Sequence, residues 1–242
     1  MRKVLGIPET NSEDYVSRMV ELSRKYNKKS RINDSLTGSE LLTKSKIIEA
    51  VETQNLINSD STVVIWGCWY GSILIPYFSK RVKRVIGIDK DDEAIRFAKN
   101  KLFVEHKNVE LITDDVFATH RSVYQDVNLI VNAACDYMPA MRQWPWFAHG
   151  ALEIDTDYPK GSADSDPEKK RVFNSPKFSS KCSFVFQSSD MAGIEGRTNC
   201  VKSMDEFKAQ MPARASFLTQ DEVLTDKGTV FTLVGNFVKT GG

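Results

Sequence analysis

Apolar positions along this chain follow two regimes. Up to about residue 53 they recur three and four places apart, and beyond residue 61 they gather into short continuous runs separated by amphipathic stretches. In the first regime Tyr15, Met19, Leu22 and Tyr26 follow a capping residue at Ser12, and a charged run over 24–31 closes the segment, which predicts an amphipathic helix. Arg24, Lys25, Lys28, Lys29 and Arg31 could grip a phosphate, but a run of like charges is most often a solvated face. A second helix is expected over 39–53, where Leu41, Leu42, Ile47, Ile48 and Val51 share a face and Gly38 marks the break before it. These helices define an N-terminal helical extension over 1–58, leaving 59–242 as the main domain.

In the second regime Val63-Val64-Ile65-Trp66 is a continuous apolar run ended by Gly67, and Val85-Ile86-Gly87-Ile88 is another, ended by Asp89. Runs of this kind suit strands buried on both faces of a parallel sheet. Asp91 is placed to cap a helix that carries Ala94, Ile95, Ala98 and Leu102 on one side. Further strands are expected over 109–112, 127–131 and 182–187, and then over 215–219 and 229–237. A short helix precedes those last two, opened by a capping box from Ser203 to Glu206 and stopped by Pro212. Strands alternating with helices predict an α/β, doubly wound sheet of Rossmann-like type. Closing it with a hairpin places an antiparallel strand in the sheet, unlike the six parallel strands of a dinucleotide-binding fold. Residues 155–181, rich in Asp, Ser, Pro, Gly and Lys, read as a mobile loop or lid.

Composition narrows the class. At 242 residues with 41% hydrophobic and 27% charged positions, the chain is an ordinary globular one. A net charge of +1 argues against a surface built for nonspecific phosphate neutralisation. No apolar stretch reaches membrane-spanning length, and the basic start breaks its apolar run too early for a secretory signal, so a cytoplasmic protein is expected. Cys68, Cys135, Cys182 and Cys200 form no C-x-x-C pair, and His106, His120 and His149 are scattered singly. Buried free thiols and no metal site are therefore expected.

The segment richest in chemistry is Gly67-Cys68-Trp69-Tyr70-Gly71, followed by Asp89 at the end of the next strand. A glycine where the first strand turns lets backbone approach a ligand, and an acid at the tip of the neighbouring strand can accept from two ribose hydroxyls. With Asp114-Asp115-Val116-Phe117 after the third strand, the pattern describes a nucleoside site at the carboxyl ends of the strands.

On these residues, over roughly 60–237, the chain resembles the class I S-adenosylmethionine-dependent methyltransferases. The resemblance implies a seven-stranded sheet whose final strand runs antiparallel between its neighbours. It also implies S-adenosyl-L-methionine as cofactor, with Gly67, Cys68, Trp69, Tyr70 and Gly71 under its methionine part, Asp89 on the ribose, and Asp115, Val116 and Phe117 around the adenine. A closer likeness is to methyltransferase-like proteins often found in tailed phages, which carry a Gly-x-Trp-Tyr-Gly loop. Their later motifs look like Asn132-Ala133-Ala134-Cys135-Asp136-Tyr137-Met138, Phe186-Gln187-Ser188-Ser189 and Asn199-Cys200.

The chain departs from the wider superfamily where Ile65 replaces an acid and Trp69 replaces the middle glycine. Trp69 is placed to line a sulfonium pocket or to pack under the first helix. Asn132, Asp136 and Tyr137 are the candidate catalytic residues at the acceptor, Asp136 as the base. Base methylation is disfavoured because Ala133-Ala134 stands where a Pro-Pro pair would follow Asn132, so a small-molecule acceptor is preferred to nucleic acid. Trp144-Pro145-Trp146-Phe147 offers aromatic faces for a planar substrate or a hydrophobic plug. Two alternatives stand beside methyl transfer. One is a noncatalytic cofactor- or partner-binding protein, the other an aminopropyl or aminocarboxypropyl transferase using the same cofactor.

Overall fold

The computed structural model describes residues 24–25, 31–117, 119, 121–124, 126–143, 182–213 and 215–237. The expected lid over 155–181, the aromatic segment 144–147 and all but Arg24, Lys25 and Arg31 of the expected helix over 12–31 lie outside them. Seven strands form one sheet: β1 (Thr62–Trp66), β2 (Arg84–Asp89), β3 (Val109–Thr113), β4 (Leu129–Asn132), β5 (Ser183–Ser189), β6 (Ala215–Leu224) and β7 (Thr229–Phe237). Their order is β3-β2-β1-β4-β5-β7-β6. The first five pair in parallel, and β7 lies antiparallel between β5 and β6. The α/β sheet with an antiparallel final strand is thus as expected.

Successive side chains on a strand point to opposite faces, so an unbroken apolar run feeds two cores. Val63, Ile65, Val85, Leu129, Val131, Val185 and Val234 enter one. Val64, Trp66, Ile86, Ile88, Ile130, Phe184, Phe186 and Leu233 enter the other. Helices α1 (Gly38–Thr53), α2 (Leu74–Ser79) and α3 (Asp92–Phe97) cover the first face, and α4 (Met204–Ala209) covers the second.

Thr37 caps α1, its hydroxyl accepting from the Glu40 N–H at 3.3 Å. Ile47, Ile48 and Val51 are buried as the spacing predicts, but Leu42 is 39% exposed. It precedes Ile47 by five residues, about 140° around a helix, which turns it off the buried face. The Gln187 side chain of β5 donates to the Thr43 carbonyl at 2.8 Å and the Thr232 hydroxyl at 3.0 Å, fastening α1 to the sheet. Asp91 caps α3 by accepting from the Ala94 N–H at 3.0 Å, and a π-helical turn (Ala98–Leu102) continues it with Ala98 and Leu102 buried.

Three local details differ from expectation for a visible reason. β4 begins at Leu129 because Asn128 is used as a tie, its side chain accepting from the Thr62 N–H at 2.8 Å. β6 runs on to Leu224: it pairs with β7 alone, so Gln220, Asp221 and Glu222 lie along an exposed edge whose polarity hides a strand. At α4 the Ser203 hydroxyl accepts from the Glu206 N–H at 3.2 Å, but the Glu206 carboxylate closes the box on the Lys202 N–H instead of that of Ser203.

Candidate functional site

The chain leaves β1 toward β2 on one side and returns through β4 on the other, so the loops after β1 and β4 diverge and open a crevice at their carboxyl ends. Gly67 (φ +60°), Trp69 (φ +48°) and Gly71 (φ +63°) all lie in the left-handed region. A Cβ at Gly67 would stand 2.9 Å from the Ala134 Cβ, so the β1 and β4 loops touch there with no room for a side chain. Glycine suits both ends of this turn; the middle residue is the anomaly. A bulky residue in this region costs ~1–2 kcal/mol. The Trp69 backbone is held there because its N–H donates to Asp89 Oδ2 at 2.7 Å. Its ring packs against Tyr70 at 4.9 Å, and the Arg31 guanidinium stands 5.4 Å from its centroid. Arg31 also pairs with Asp91 at 3.4 Å, while its N–H donates to the Tyr70 hydroxyl at 3.1 Å. The Trp69 indole therefore has one cation of the chain's own on it.

Asp89, half-buried at the tip of β2, accepts a second N–H, that of Asp91, on Oδ1 at 2.9 Å. Burial pushes its carboxyl above the usual range, and the two N–H bonds from Asp91 and Trp69 oppose that shift. The Asp114 N–H donates to the Asp89 carbonyl at 3.0 Å, which brings the loop after β3 alongside. There Asp115 turns its carboxylate back on the Phe117 N–H at 2.9 Å, Val116 is buried beneath, and Phe117 is half-buried. Cys68 is 8% exposed, its thiol pushed well up by burial. Gly87 lies under it: a Cβ there would meet the Cys68 Sγ at 2.9 Å and Leu111 at 2.7 Å.

The ends of β4 and β5 border a second space, a small open cleft beside α1 and the β6–β7 turn. Asp136 lies in it, 4% exposed, with Oδ2 accepting from the Ser189 hydroxyl at 2.6 Å and from Arg197 Nη1 at 2.9 Å. Burial raises the Asp136 carboxyl, against the opposing pull of Arg197 and Ser189. Arg197 also donates from Nε to the Tyr137 hydroxyl at 3.1 Å, with the guanidinium 5.2 Å from the ring centroid. On the α1 side Glu40 and Lys44 pair at 3.1 Å. Lys44 first, opposed by burial, and then Arg197 and Lys227 hold the Glu40 carboxyl below its ordinary value.

The fold thus brings Gly67, Cys68, Trp69, Tyr70, Gly71, Asp89, Asp115, Val116 and Phe117 to one end of the sheet. It separates the three acceptor candidates by role. Asp136 lines the cleft. Tyr137 is 43% exposed and reaches the cleft through Arg197. Asn132 is fully buried, its side-chain carbonyl accepting from the Ala134 N–H at 2.9 Å and its amide facing the Met138 sulfur at 3.4 Å. Among the described residues no group of His, Cys, Asp and Glu could hold a metal ion. Arg31, Glu40, Lys44, Arg197 and Lys227 carried no sequence signal beyond their charge. Ser188 and Ser189 lay within the Phe186–Ser189 motif, and Asn199 pairs reciprocally with Gln210 at 2.7 and 2.9 Å.

With strand order, antiparallel β7 and glycine crevice together, the chain has the Rossmann-like methyltransferase fold. It is similar to N-methyltransferase NodS from Bradyrhizobium japonicum WM9 in complex with S-adenosyl-L-homocysteine, at 12% identity and a TM-score of 0.55 over 92% of this chain and 99% of that one. Magnesium protoporphyrin IX methyltransferase from Synechocystis PCC 6803, with bound SAM, is similar at 12% identity and a TM-score of 0.51 over 85% of this chain and 82% of that one. The YcgJ protein of Bacillus subtilis is similar at 10% identity and a TM-score of 0.53, over 79% of this chain and 98% of that one. No protein-family model matches the chain, and no curated protein matches it in sequence.

Proposed function

We propose that the protein is an S-adenosylmethionine-dependent methyltransferase of the group with a Gly-x-Trp-Tyr-Gly loop, acting in the cytoplasm on a small-molecule acceptor. Asp89 carries the reading. Each of its carboxylate oxygens accepts one backbone N–H, which leaves each a lone pair for one hydroxyl of a ribose diol. Phe117 on the adjacent loop offers an apolar face to an adenine, and the side-chain-free Gly67 and Gly71 admit the amino-acid end. Ile65 is 1% exposed within the core, so the cofactor's ammonium group finds no acid at that position, and the ribose end dominates the fit. No helix among the described residues is long and apolar enough to cross a membrane.

When bound, S-adenosylmethionine supplies a methyl group on a sulfonium, open to attack along the methyl–sulfur axis. The protein's part is to hold an acceptor on that axis and take its proton. Asp136 takes the proton, because its burial makes it a stronger base than a solvated aspartate, and Arg197 and Ser189 hold its carboxylate in place. Tyr137, through Arg197, orients the same group. Nothing in this scheme requires Asn132 to touch the acceptor; it holds the β4 turn against which Gly67 packs.

Calorimetric titration separates this reading from its competitors: S-adenosylhomocysteine binding without NAD binding is expected, and tight NAD binding with no nucleoside binding would overturn it. Asp89→Ala is expected to weaken S-adenosylhomocysteine by ~1.5–3 kcal/mol, the range for hydrogen bonds to a charged group, with the fold intact by circular dichroism. Unchanged affinity would leave Asp89 as a turn residue only. The raised Asp89 carboxyl also sets a pH dependence. As pH falls through that raised value the group gains a proton and loses acceptor capacity, so affinity should decline at a higher pH than for a solvated aspartate near ~3.9. Titrations from pH ~7.5 down to ~5 should show the decline in the native protein and a flatter profile in Asp89→Asn.

A further inference from the structure

Of the six large apolar side chains exposed among the described residues, three, Phe217, Leu218 and Leu224, lie on one strand, β6. This ten-residue strand is an edge of the sheet, bonded to β7 alone. The opposite edge, β3, is five residues long and exposes no large apolar side chain. Along an antiparallel pair, residues alternately turn their N–H and C=O toward the neighbouring strand and away from it. The Thr225 N–H donates to the Gly228 carbonyl at 2.9 Å, so by alternation Val223, Asp221 and Thr219 turn toward β7, while Leu224, Glu222 and Gln220 turn outward. Consistent with this, the Glu222 N–H is taken by a side chain, donating to Asp221 Oδ1 at 2.9 Å. An edge that combines outward backbone groups with exposed apolar side chains is a template for another strand.

We infer that β6 pairs antiparallel with β6 of a second copy of this chain, about a two-fold axis at Gln220, so that one sheet runs through the dimer. Residues equally far from such an axis come opposite one another. An axis at Asp221 or Glu222 would set a carboxylate against its own copy, which is destabilising. At Gln220 it sets amide against amide, joins the outward backbone groups of the two Gln220 residues, and brings the Thr219 hydroxyl to the Asp221 carboxylate of the second copy. Glu222 lies on the side of the second core, opposite Phe231, and Phe217 lies on the same side, its ring meeting Phe184 edge-on at 6.4 Å. Leu218 is the extra residue of a bulge between Phe217 and Thr219, so Phe217 comes opposite Glu222 of the second copy. Lys208 of α4 stands over that Phe217 ring, 5.9 Å from its centroid. Neither Lys208 nor Glu222 makes an ion pair among the described residues, and across the axis each meets the other, twice per dimer. The edge thus carries both halves of its own complement, as a two-fold interface requires. Nothing in this pairing depends on the cofactor.

Sedimentation velocity on the full chain, over concentrations from ~1 to ~100 µM that bracket a micromolar Kd, tests this. A dimer that forms across the series is expected, and a monomer at every concentration would overturn the proposal. Gln220→Glu, which sets a carboxylate against its own copy, should weaken dimerisation about tenfold while the circular dichroism spectrum of the dilute protein stays unchanged. Glu222→Lys and Lys208→Glu should each weaken it comparably, and the two together in one chain should restore it, a recovery that damage to the fold cannot give. Lys107→Glu, beside the opposite edge of the sheet, is the control and should leave the dimer as it is. A dimer that survives Gln220→Glu and both single charge reversals would belong to another face and overturn the β6 pairing. Failure of the double variant to recover would overturn the contact between Lys208 and Glu222, and with it the register about Gln220.

Discussion

Arg197→Met is expected to destabilise the protein by about 3–5 kcal/mol, the cost of leaving one member of a buried ion pair alone. The Arg197 and Asp136 side chains are 13% and 6% exposed, so water cannot replace the lost guanidinium. Ser189 would remain the sole donor to the carboxylate from that side, and the Tyr137 hydroxyl would lose its donor. Acidification should relieve part of this loss. Burial already holds the Asp136 carboxyl above its unfolded value, and losing Arg197 raises it further. The folded variant then binds a proton more readily than its unfolded chain, so its stability rises as pH falls through the raised value. Urea denaturation near neutral pH and at mildly acidic pH should show a deficit that narrows on acidification. A deficit below ~1 kcal/mol near neutral pH would mean that the pair is solvated and worth no more than a surface bridge.

Gly71→Ala should be the most damaging single-methyl change in the glycine loop. Its φ of +63° costs an alanine ~1–2 kcal/mol. The added Cβ would also lie 2.7 Å from the Ile75 Cγ1 and closer still to its Cδ1. Ile75 is fully buried in the first core and has nowhere to swing, so overpacking adds ~1–3 kcal/mol. Gly193→Ala, at a glycine with no atom within 4 Å of the added group, is the matched control and should stay within ~0.5 kcal/mol of the native protein. Thermal unfolding of the two variants side by side tests this; equal melting temperatures would refute the packing argument. Because the same loop borders the crevice, Gly71→Ala should weaken S-adenosylhomocysteine as well, even where the variant remains folded.

The parallel half of the sheet is legible in the sequence because its strands are buried on both faces, which forces continuous apolar runs such as Val63–Trp66 and Val85–Ile88. The far half of β6 is not, because an edge strand bonded on one side tolerates Gln220, Asp221 and Glu222, and no periodicity then separates it from a loop. Spacing puts Leu42 on the buried side of α1 and the structure puts it outside, since a run of apolar residues cannot say which one the sheet will meet. At the site, Gly67, Gly71 and Asp89 can be singled out because each demand is local: a left-handed backbone, a strand tip, a short separation in sequence. For Trp69 the sequence offers a pocket wall or packing under a helix. Its left-handed backbone, held by Asp89, and its contact with Arg31 depend on partners 20 and 38 residues away.

The order of apolar runs, turn glycines and capping residues is therefore sufficient for the strand inventory, the antiparallel close and the nucleoside-type crevice, all properties written in neighbouring residues. The cleft is beyond its reach. Asp136 and Arg197 are 61 residues apart and Gln187 reaches back 144 residues to Thr43, so their pairing exists only once β4, β5 and α1 are packed together. Burial then does what no spacing can announce: it raises the Asp136 carboxyl and leaves Ser189 and Arg197 as its donors. Charge and hydroxyl content are visible residue by residue, but which charges cancel is a matter of distances between segments that the chain order does not encode.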